Sequence, residues 1–172
     1  MASAARMKEK NGEHPLGDSG QLVLLGLFLS VWAADSFFLR KSTFLSHHIP
    51  LLLRLIVLAG VLVLAFFLYR SGHAVVSHGA RPAGLVSTDA FKYVRHPLYL
   101  ASMLFYVGLA VSTASLLSLA LVAVAFTFYD YIARYEERLL VAKLGKAYED
   151  YMERTGRWIP RVRTRERTET RV

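Results

Sequence analysis

The stretch that decides the fold is RHPLYLASMLFYVGLAVSTASLLSLALVAVAFTFYDYIARYEERLL, residues 95–140. It contains two long apolar segments separated by a short polar turn near Thr113. Pro97 is suited to the first position of a helix, because its missing N–H would have no intrahelical partner there. The outward run from His96 covers roughly 26 Å and the return run covers roughly 30 Å. The pattern therefore predicts a helical hairpin that returns the Glu136–Glu137 pair to the depth of His96.

Two further apolar segments, residues 21–39 and 49–69, precede this hairpin. Each holds about 20 residues, enough to cross a hydrocarbon core of about 30 Å. A cleavable signal peptide is the alternative for the first segment, since Val31-Trp32-Ala33 resembles a cleavage site. Apolar residues make up 54% of the chain and charged residues 20%, which excludes intrinsic disorder. We expect an all-α polytopic membrane protein with four transmembrane helices.

The polar segments divide the chain into three parts. Residues 1–20 form a polar cytosolic N-terminus, residues 21–161 form the membrane domain, and residues 162–172 form a basic tail that we expect to be disordered. The membrane domain includes a loop at 72–96 before the third helix and a short C-terminal helix at 147–154, both predicted to be cytosolic.

Lys and Arg residues indicate the orientation and the partners. They gather in the N-terminus, in the loop before the third helix and after the fourth helix, and the turn at 112–115 has none. This distribution places both termini in the cytosol of a membrane that is expected to be prokaryotic. The net charge of +8 is then explained by anionic lipid headgroups rather than by nucleic acid.

Several remaining polar residues could serve structure or chemistry. Asp35 and Arg54 both lie roughly 6–8 Å below the outer membrane surface, so we expect them to form a salt bridge; a proton or substrate site is the alternative. The chain has no cysteine, which excludes disulfides and thiolate ligands. His73 and His78 lack partners at ligand spacing, and we predict no metal site.

Taken singly, the polar groups of the hairpin have ordinary explanations. Arg95-His96-Pro97 at a helix entrance would usually anchor the helix at the interface. The Glu136–Glu137 pair would usually be a solvated face, where neighbours such as Asp130 and Arg134 pair at i,i+4 spacing. Their coincidence at one depth, beside a long half-apolar loop, favours a shared pocket instead.

Three motifs in fixed order carry a family resemblance. They are LVSTDAFKYVRHPLY at 85–99, EERLL at 136–140 with LGKAYEDY at 144–151, and WIPR at 158–161. Over about residues 80–161 the chain resembles the superfamily of isoprenylcysteine carboxyl methyltransferases and phospholipid methyltransferases, which are integral membrane enzymes.

The resemblance implies methyl transfer from S-adenosyl-L-methionine at the membrane surface. It also implies cofactor-binding residues, namely Gly84, Leu85, Val86 and Phe91 as pocket walls, His96, Pro97 and Tyr99 as contacts, and Glu136 and Glu137 for hydroxyl or amino groups. A zwitterion with an added sulfonium charge suits carboxylates and aromatic faces. Arg95, or free N–H groups at the start of the third helix, would hold its carboxylate. Arg95 and Arg134 are the candidate catalytic residues.

The methyl acceptor is left open by the sequence. The isoprenylcysteine enzymes carry a substrate-binding arginine about one helical turn before the acidic pair, and this chain has Ile132 there. The acceptor is therefore described only as small or lipophilic. A phospholipid N-methyltransferase is one alternative, and a small four-helix transporter is an alternative outside enzymes.

Overall fold

The computed structural model describes residues 17–77 and 85–161. Its α-helices are α1 (Gly17–Ala33), α2 (Leu51–Ser77), α3 (Pro97–Thr113), α4 (Leu116–Leu144) and α5 (Lys146–Arg154). A π-helical segment, Ala34–Leu39, extends α1, and Phe44–His47 and Asp89–Lys92 form 3-10 turns. The predicted tail at 162–172, Gly84 and most of the N-terminal segment lie outside the described residues.

The helices have the length and composition of membrane spans. Gly17–Leu39, Leu51–His73 and Leu116–Leu144 are each long and apolar enough to cross a bilayer, while Pro97–Thr113 is a shorter apolar helix. The predicted all-α class is thus confirmed for the described ranges, and the chain is an integral membrane protein. That α3 makes a fourth crossing remains a prediction.

The helix ends follow from local chemistry. α3 begins at Pro97 and ends at Thr113, and the left-handed backbone of its C-cap residue Ala114 (φ 53°) turns the chain. Ser115 then caps α4, because its side chain accepts a hydrogen bond from the N–H of Ser118 (3.1 Å). α4 ends at Leu144, and its C-cap residue Gly145 has a φ of 56° that glycine adopts without strain. These ends agree with the predicted hairpin.

The core lies between α1, α3 and α4. Phe28, Tyr106 and Tyr129 are almost fully buried there. α2 packs closely against α3 at Gly108, where an added Cβ would lie 3.1 Å from a methyl carbon of Leu58. The small residue thus permits the close helix approach that is typical of membrane proteins. The outer face of α2 exposes leucine and phenylalanine side chains, as expected for contact with lipid.

The predicted salt bridge between Asp35 and Arg54 is wrong. The Asp35 carboxylate is 1% exposed and accepts hydrogen bonds from the Ser42 N–H (3.1 Å), the Ser42 hydroxyl and the Ser115 hydroxyl (2.7 Å). Arg54 instead donates to the carbonyl oxygen of Ser112 (2.7 Å). The π-helical turn at the end of α1 directs the carboxylate toward the start of α4, so hydroxyl and N–H donors satisfy it.

Candidate functional site

The hairpin brings His96 to the acidic pair, although His96 and Glu137 are 41 positions apart in sequence. The imidazole Nε2 lies 3.2 Å from Glu137 Oε1, and Nδ1 lies 3.8 Å from Glu136 Oε2. His96 occupies the N-cap position of α3, but its side chain makes no capping hydrogen bond. The predicted proximity is confirmed, and the imidazole faces carboxylates rather than its own helix.

Glu137 is the centre of the charged cluster. Its side chain is 3% exposed, and Oε1 accepts from Arg95 Nε (2.8 Å) and Arg157 Nε (3.0 Å). Oε2 accepts from a second nitrogen of Arg157. With His96 also in contact, both carboxylate oxygens are occupied by cationic or imidazole nitrogens of the chain. Glu137 therefore holds the side chains of Arg95, His96 and Arg157 in fixed positions through charge-assisted hydrogen bonds.

Glu136 has a different environment from Glu137. Its Oε1 accepts a hydrogen bond from the Tyr99 hydroxyl (2.8 Å), and its side chain is 12% exposed. The Tyr99 ring lies parallel to the His96 imidazole, with centroids 5.5 Å apart. A carboxylate, a phenol and an imidazole therefore share one surface at the start of α3.

Arg95 ties the site to the end of the chain. It is 8% exposed, and besides Glu137 its guanidinium donates to the carbonyl oxygens of Met152 (3.0 Å) and Thr155 (2.6 Å). Its backbone N–H donates to the carbonyl oxygen of Gly156 (2.9 Å). The arginine that could have held a cofactor carboxylate thus makes several hydrogen bonds within the protein.

Residues 155–161, which we name the C-terminal strap, cross the site. Arg157 binds both Glu137 and Asp130 (3.0 Å), and the Trp158 N–H donates to Asp130 (3.1 Å). The hydrogen bond with Glu137 raises the pKa of the Arg157 guanidinium, which keeps it charged. The Trp158 ring lies 5.8 Å from the His96 imidazole.

Sequence reasoning included Trp158 in a motif but missed Arg157 and the role of Asp130. The motif WIPR, which directly follows Arg157, was the available signal, and it did not indicate a partner. Gly156 permits the tight turn of the strap, because an added Cβ would lie 1.8 Å from the carbonyl oxygen of Ile159.

The other predicted site residues fall around this cluster. Leu85 and Val86 are half-buried, and the carbonyl oxygen of Phe91 accepts from the Tyr151 hydroxyl (2.6 Å). Pro97 is fully buried beside His96. Arg134 has a side chain that is 64% exposed and pairs with Asp130 (2.6 Å), as its i,i+4 spacing indicated. Gly84 lies outside the described residues.

A cavity of about 890 Å³ opens between α1, α2 and α3, and we name it the lateral groove. Its lining includes the buried side chains of Tyr106 and Tyr129 and, from the start of α1, Asp18 and Gln21. The rest of its lining is Leu22, Leu25, Leu29, Leu62, Ala65, Phe66, Tyr69, Ala101, Ser102 and Phe105. Tyr129 also contacts Tyr99, with ring centroids 5.3 Å apart, so a lining residue of the groove touches the tyrosine that binds Glu136.

Comparison with known proteins identifies a family. Residues 51–147 match the family described as phospholipid methyltransferase. The match begins at α2, earlier than the segment that carries the sequence motifs, and includes His96 and the acidic pair. It ends before the C-terminal strap.

Two curated relatives illustrate the range of this similarity. Methanethiol S-methyltransferase 2 of Bradyrhizobium diazoefficiens is 40% identical over 82 residues, which cover 47% of this chain and 30% of that protein. The nickel-cobalt-cadmium resistance protein NccN of Alcaligenes xylosoxydans xylosoxydans is 33% identical over 90 residues, which cover 52% of this chain and 42% of that protein. The matched region thus spans less than half the length of either relative. Within the described ranges, no three His, Asp or Glu side chains are grouped to hold a metal ion.

Proposed function

The chain belongs to the phospholipid methyltransferase family, and on that premise we propose that it is an S-adenosyl-L-methionine-dependent methyltransferase that acts on a small or lipophilic acceptor at the cytosolic membrane surface. The observation that carries the proposal is the contact of His96 with Glu136 and Glu137, beside Tyr99, whose ring contacts Tyr129 of the lateral groove. The groove gives an apolar acceptor a route, and the charged cluster gives a polar cofactor a surface.

The residues present fit this cofactor chemically. When bound, the cofactor supplies a methyl group on a cationic sulfur. Carboxylates suit its hydroxyl and amino groups, and aromatic faces suit its positive charge. Glu136 provides the carboxylate, and Tyr99 and Trp158 provide aromatic faces next to His96. The N–H groups at the start of α3 have no intrahelical acceptor and suit a carboxylate.

The proposed contacts can be assigned by position. His96, Pro97 and Tyr99 would contact the cofactor, and Leu85, Val86, Phe91 and Gly84 would wall its pocket. Glu136 would bind a hydroxyl or amino group. Glu137 would act mainly by holding Arg95, Arg157 and His96 in place, since its oxygens already accept from them.

The chain's residues would promote transfer chiefly by alignment and by excluding water. An acceptor that arrives as an anion needs no base. An acceptor that arrives protonated loses one proton, and the Glu136 carboxylate, which accepts from the Tyr99 hydroxyl, would receive it. In this proposal Arg95 positions Glu137. Arg134 forms an exposed ion pair with Asp130 and does not take part in the site.

We place this site on the cytosolic side, with both termini, from the distribution of Lys and Arg. A transporter is disfavoured by the placement of charge. The charged cluster lies at one end of the α3–α4 hairpin, and the buried acid Asp35 at the other end is enclosed by serine donors.

Calorimetric binding of S-adenosylhomocysteine to the detergent-purified protein tests the proposal. Wild type should bind, and His96→Ala and Glu136→Ala should each lose about tenfold or more in affinity, as expected for a hydrogen bond to a charged group. Arg134→Ala is the matched control and should bind normally. Absence of binding by wild type would remove the proposed function, whereas unaltered binding by both site variants would remove only the site.

A further inference from the structure

We propose that Asp130 is a positioning residue of the methyltransferase site, because its carboxylate holds the Trp158 indole beside His96. The inference rests on the proposed function and adds a residue that sets the affinity for the cofactor through Trp158. The i,i+4 spacing predicted Arg134 as the partner of Asp130, and the structure adds two partners from the C-terminal strap.

The two carboxylate oxygens of Asp130 have different partners. Oδ2 accepts from Arg134 Nε (2.6 Å), and the Arg134 side chain is 64% exposed. Oδ1 accepts from the indole N–H of Trp158 (3.1 Å) and from a guanidinium nitrogen of Arg157 (3.0 Å). One oxygen therefore binds an exposed arginine of α4, and the other binds two consecutive residues of the strap.

Asp130 and Glu137 hold the strap at two points on α4. The two carboxylates are related by i,i+7 spacing, about two helical turns, so they lie on the same face of the helix. Arg157 bridges them, since it donates to Asp130 Oδ1 and to both oxygens of Glu137. Without the Asp130 carboxylate, Arg157 would still be held by Glu137, whereas the Trp158 N–H would lose its acceptor. The indole therefore depends on Asp130 more than Arg157 does.

The Trp158 indole is also held by neighbouring rings. Its centroid lies 5.8 Å from that of the His96 imidazole, and 5.9 Å from that of the Phe126 ring. Phe126 precedes Asp130 by one turn of α4, so this helix supplies both a hydrogen-bond acceptor and a packing ring. The indole thus forms an ordered aromatic surface next to His96, and a ligand that binds there pays little for side-chain ordering.

A nucleoside with a cationic sulfur offers two groups that suit an aromatic surface. Its base can stack on an indole, and its positive charge is attracted to the face of the ring. If the indole were released from Asp130, only a fraction of the molecules would present this surface. The apparent affinity would then fall by that fraction. Asp130 would act on binding in this way without a contact of its own to the ligand.

Calorimetric binding of S-adenosylhomocysteine to the detergent-purified protein, measured below the Tm, tests the role of Asp130. Asp130→Ala should lose about tenfold in affinity, as for a lost hydrogen bond to a charged group. Asp130→Asn keeps an oxygen that can accept from the indole, so it should lose less than Asp130→Ala. Asp150→Ala is the matched control, because it removes a carboxylate from an exposed pair with Lys146 (3.2 Å), and it should bind as wild type.

Trp158→Phe tests the same hydrogen bond from its other side. This variant keeps an aromatic ring and removes the N–H, and it should lose about threefold or more in affinity. Because Asp130→Ala and Trp158→Phe remove one shared hydrogen bond, the double variant should bind about as weakly as Asp130→Ala alone.

The fluorescence of Trp158 gives a readout that needs no ligand. The chain has two tryptophans, and the other, Trp32, donates to the carbonyl oxygen of Leu109 (3.0 Å) near the turn of the hairpin. A Trp32→Phe background therefore isolates the emission of Trp158. Acrylamide should quench this emission more strongly when Asp130→Ala is added, and Asp150→Ala should not change the quenching. S-adenosylhomocysteine should reduce the quenching, since it would cover the indole.

Other outcomes overturn the inference. If Asp130→Ala lowers the Tm but binds S-adenosylhomocysteine as wild type does, Asp130 only stabilises the fold. If quenching of Trp158 is unchanged, or if the losses of Asp130→Ala and Trp158→Phe add, Asp130 does not act through Trp158. If Asp130→Ala does not fold, wild-type affinity in Trp158→Phe would overturn the inference alone. In all these cases binding by the wild-type protein leaves the proposed function standing, whereas absence of that binding would remove both.

Discussion

Replacing Glu137 with glutamine keeps the shape of the side chain and removes its charge, while Glu136→Gln makes the same change at the neighbouring residue. The two carboxylates have different surroundings. Glu137 is 3% exposed and accepts from Arg95 Nε at 2.8 Å, from Arg157 Nε at 3.0 Å and from a second Arg157 nitrogen. Glu136 accepts from the Tyr99 hydroxyl at 2.8 Å. The pair therefore separates a role in stability from a role in binding.

The magnitudes follow from these contacts. Glu137→Gln leaves the buried Arg95 guanidinium without a counter-charge, leaves Arg157 paired with Asp130 alone, and turns an amide N–H₂ toward one of the two arginines. Removing one partner of a buried ion pair costs about 3–5 kcal/mol. For a chain of this size that corresponds to a fall in Tm of about 6–20 °C. Glu136→Gln retains an oxygen that accepts from Tyr99, so it should lose less than about 1 kcal/mol.

The assay is thermal unfolding in detergent together with calorimetric binding of S-adenosylhomocysteine below the Tm. Glu137→Gln should lower the Tm and bind with only a modest loss of affinity. Glu136→Gln should keep the wild-type Tm and lose about tenfold or more in affinity, as for a lost charge-assisted hydrogen bond. The opposite result, a normal Tm with abolished binding in Glu137→Gln, would refute the assignment of Glu137 to positioning.

Three further variants test other parts of the structure. Asp35→Asn should lower the unfolding free energy by about 1–3 kcal/mol, because the amide cannot accept from all of the donors around Asp35. In a double-mutant cycle with Arg54→Met the two losses of unfolding free energy should add. A coupling energy between them would instead support a direct ion pair between Asp35 and Arg54. Gly156→Ala should displace the C-terminal strap, since its Cβ would lie 1.8 Å from the Ile159 carbonyl oxygen, and should lower both Tm and binding of S-adenosylhomocysteine; wild-type values for both would contradict the described turn. Arg134→Ala removes an exposed ion pair and should change the unfolding free energy by less than about 1 kcal/mol. A large loss of activity in this variant would show that Arg134 takes part in the site.

The hairpin could be predicted because its determinants are local. Pro97 fixes the start of α3, the polar turn fixes its end, and a constant helical rise makes the outward and return lengths comparable. Once both helices are counted, the meeting of His96 and Glu136 requires no knowledge of side-chain packing. The site was predictable to the extent that it depends on this arithmetic.

The remaining features depend on side-chain direction and on distant chain segments. Asp35 and Arg54 both contact the turn between α3 and α4, but a shared level does not determine which donors a carboxylate meets, and the π-helical turn directs Asp35 toward Ser115. Arg157 follows α5 in a polar segment with no periodicity, so nothing in its surroundings indicated that it folds back onto Glu137.

The two ends of the α3–α4 hairpin use buried carboxylates in different ways. At the turn, the Asp35 carboxylate accepts hydrogen bonds from the Ser42 N–H and from the hydroxyls of Ser42 and Ser115. These donors are neutral groups fixed by short loops. At the opposite end, Glu137 is satisfied by Arg95, which also binds Thr155 of the C-terminal strap, and by Arg157, which belongs to the strap. Breaking one such ion pair should therefore change the position of the strap as well as the local charge. The C-terminal strap is therefore coupled to the acidic pair. The affinity for a polar ligand at Glu136 and Glu137 then depends on the ion pairs of Arg95 and Arg157 with Glu137.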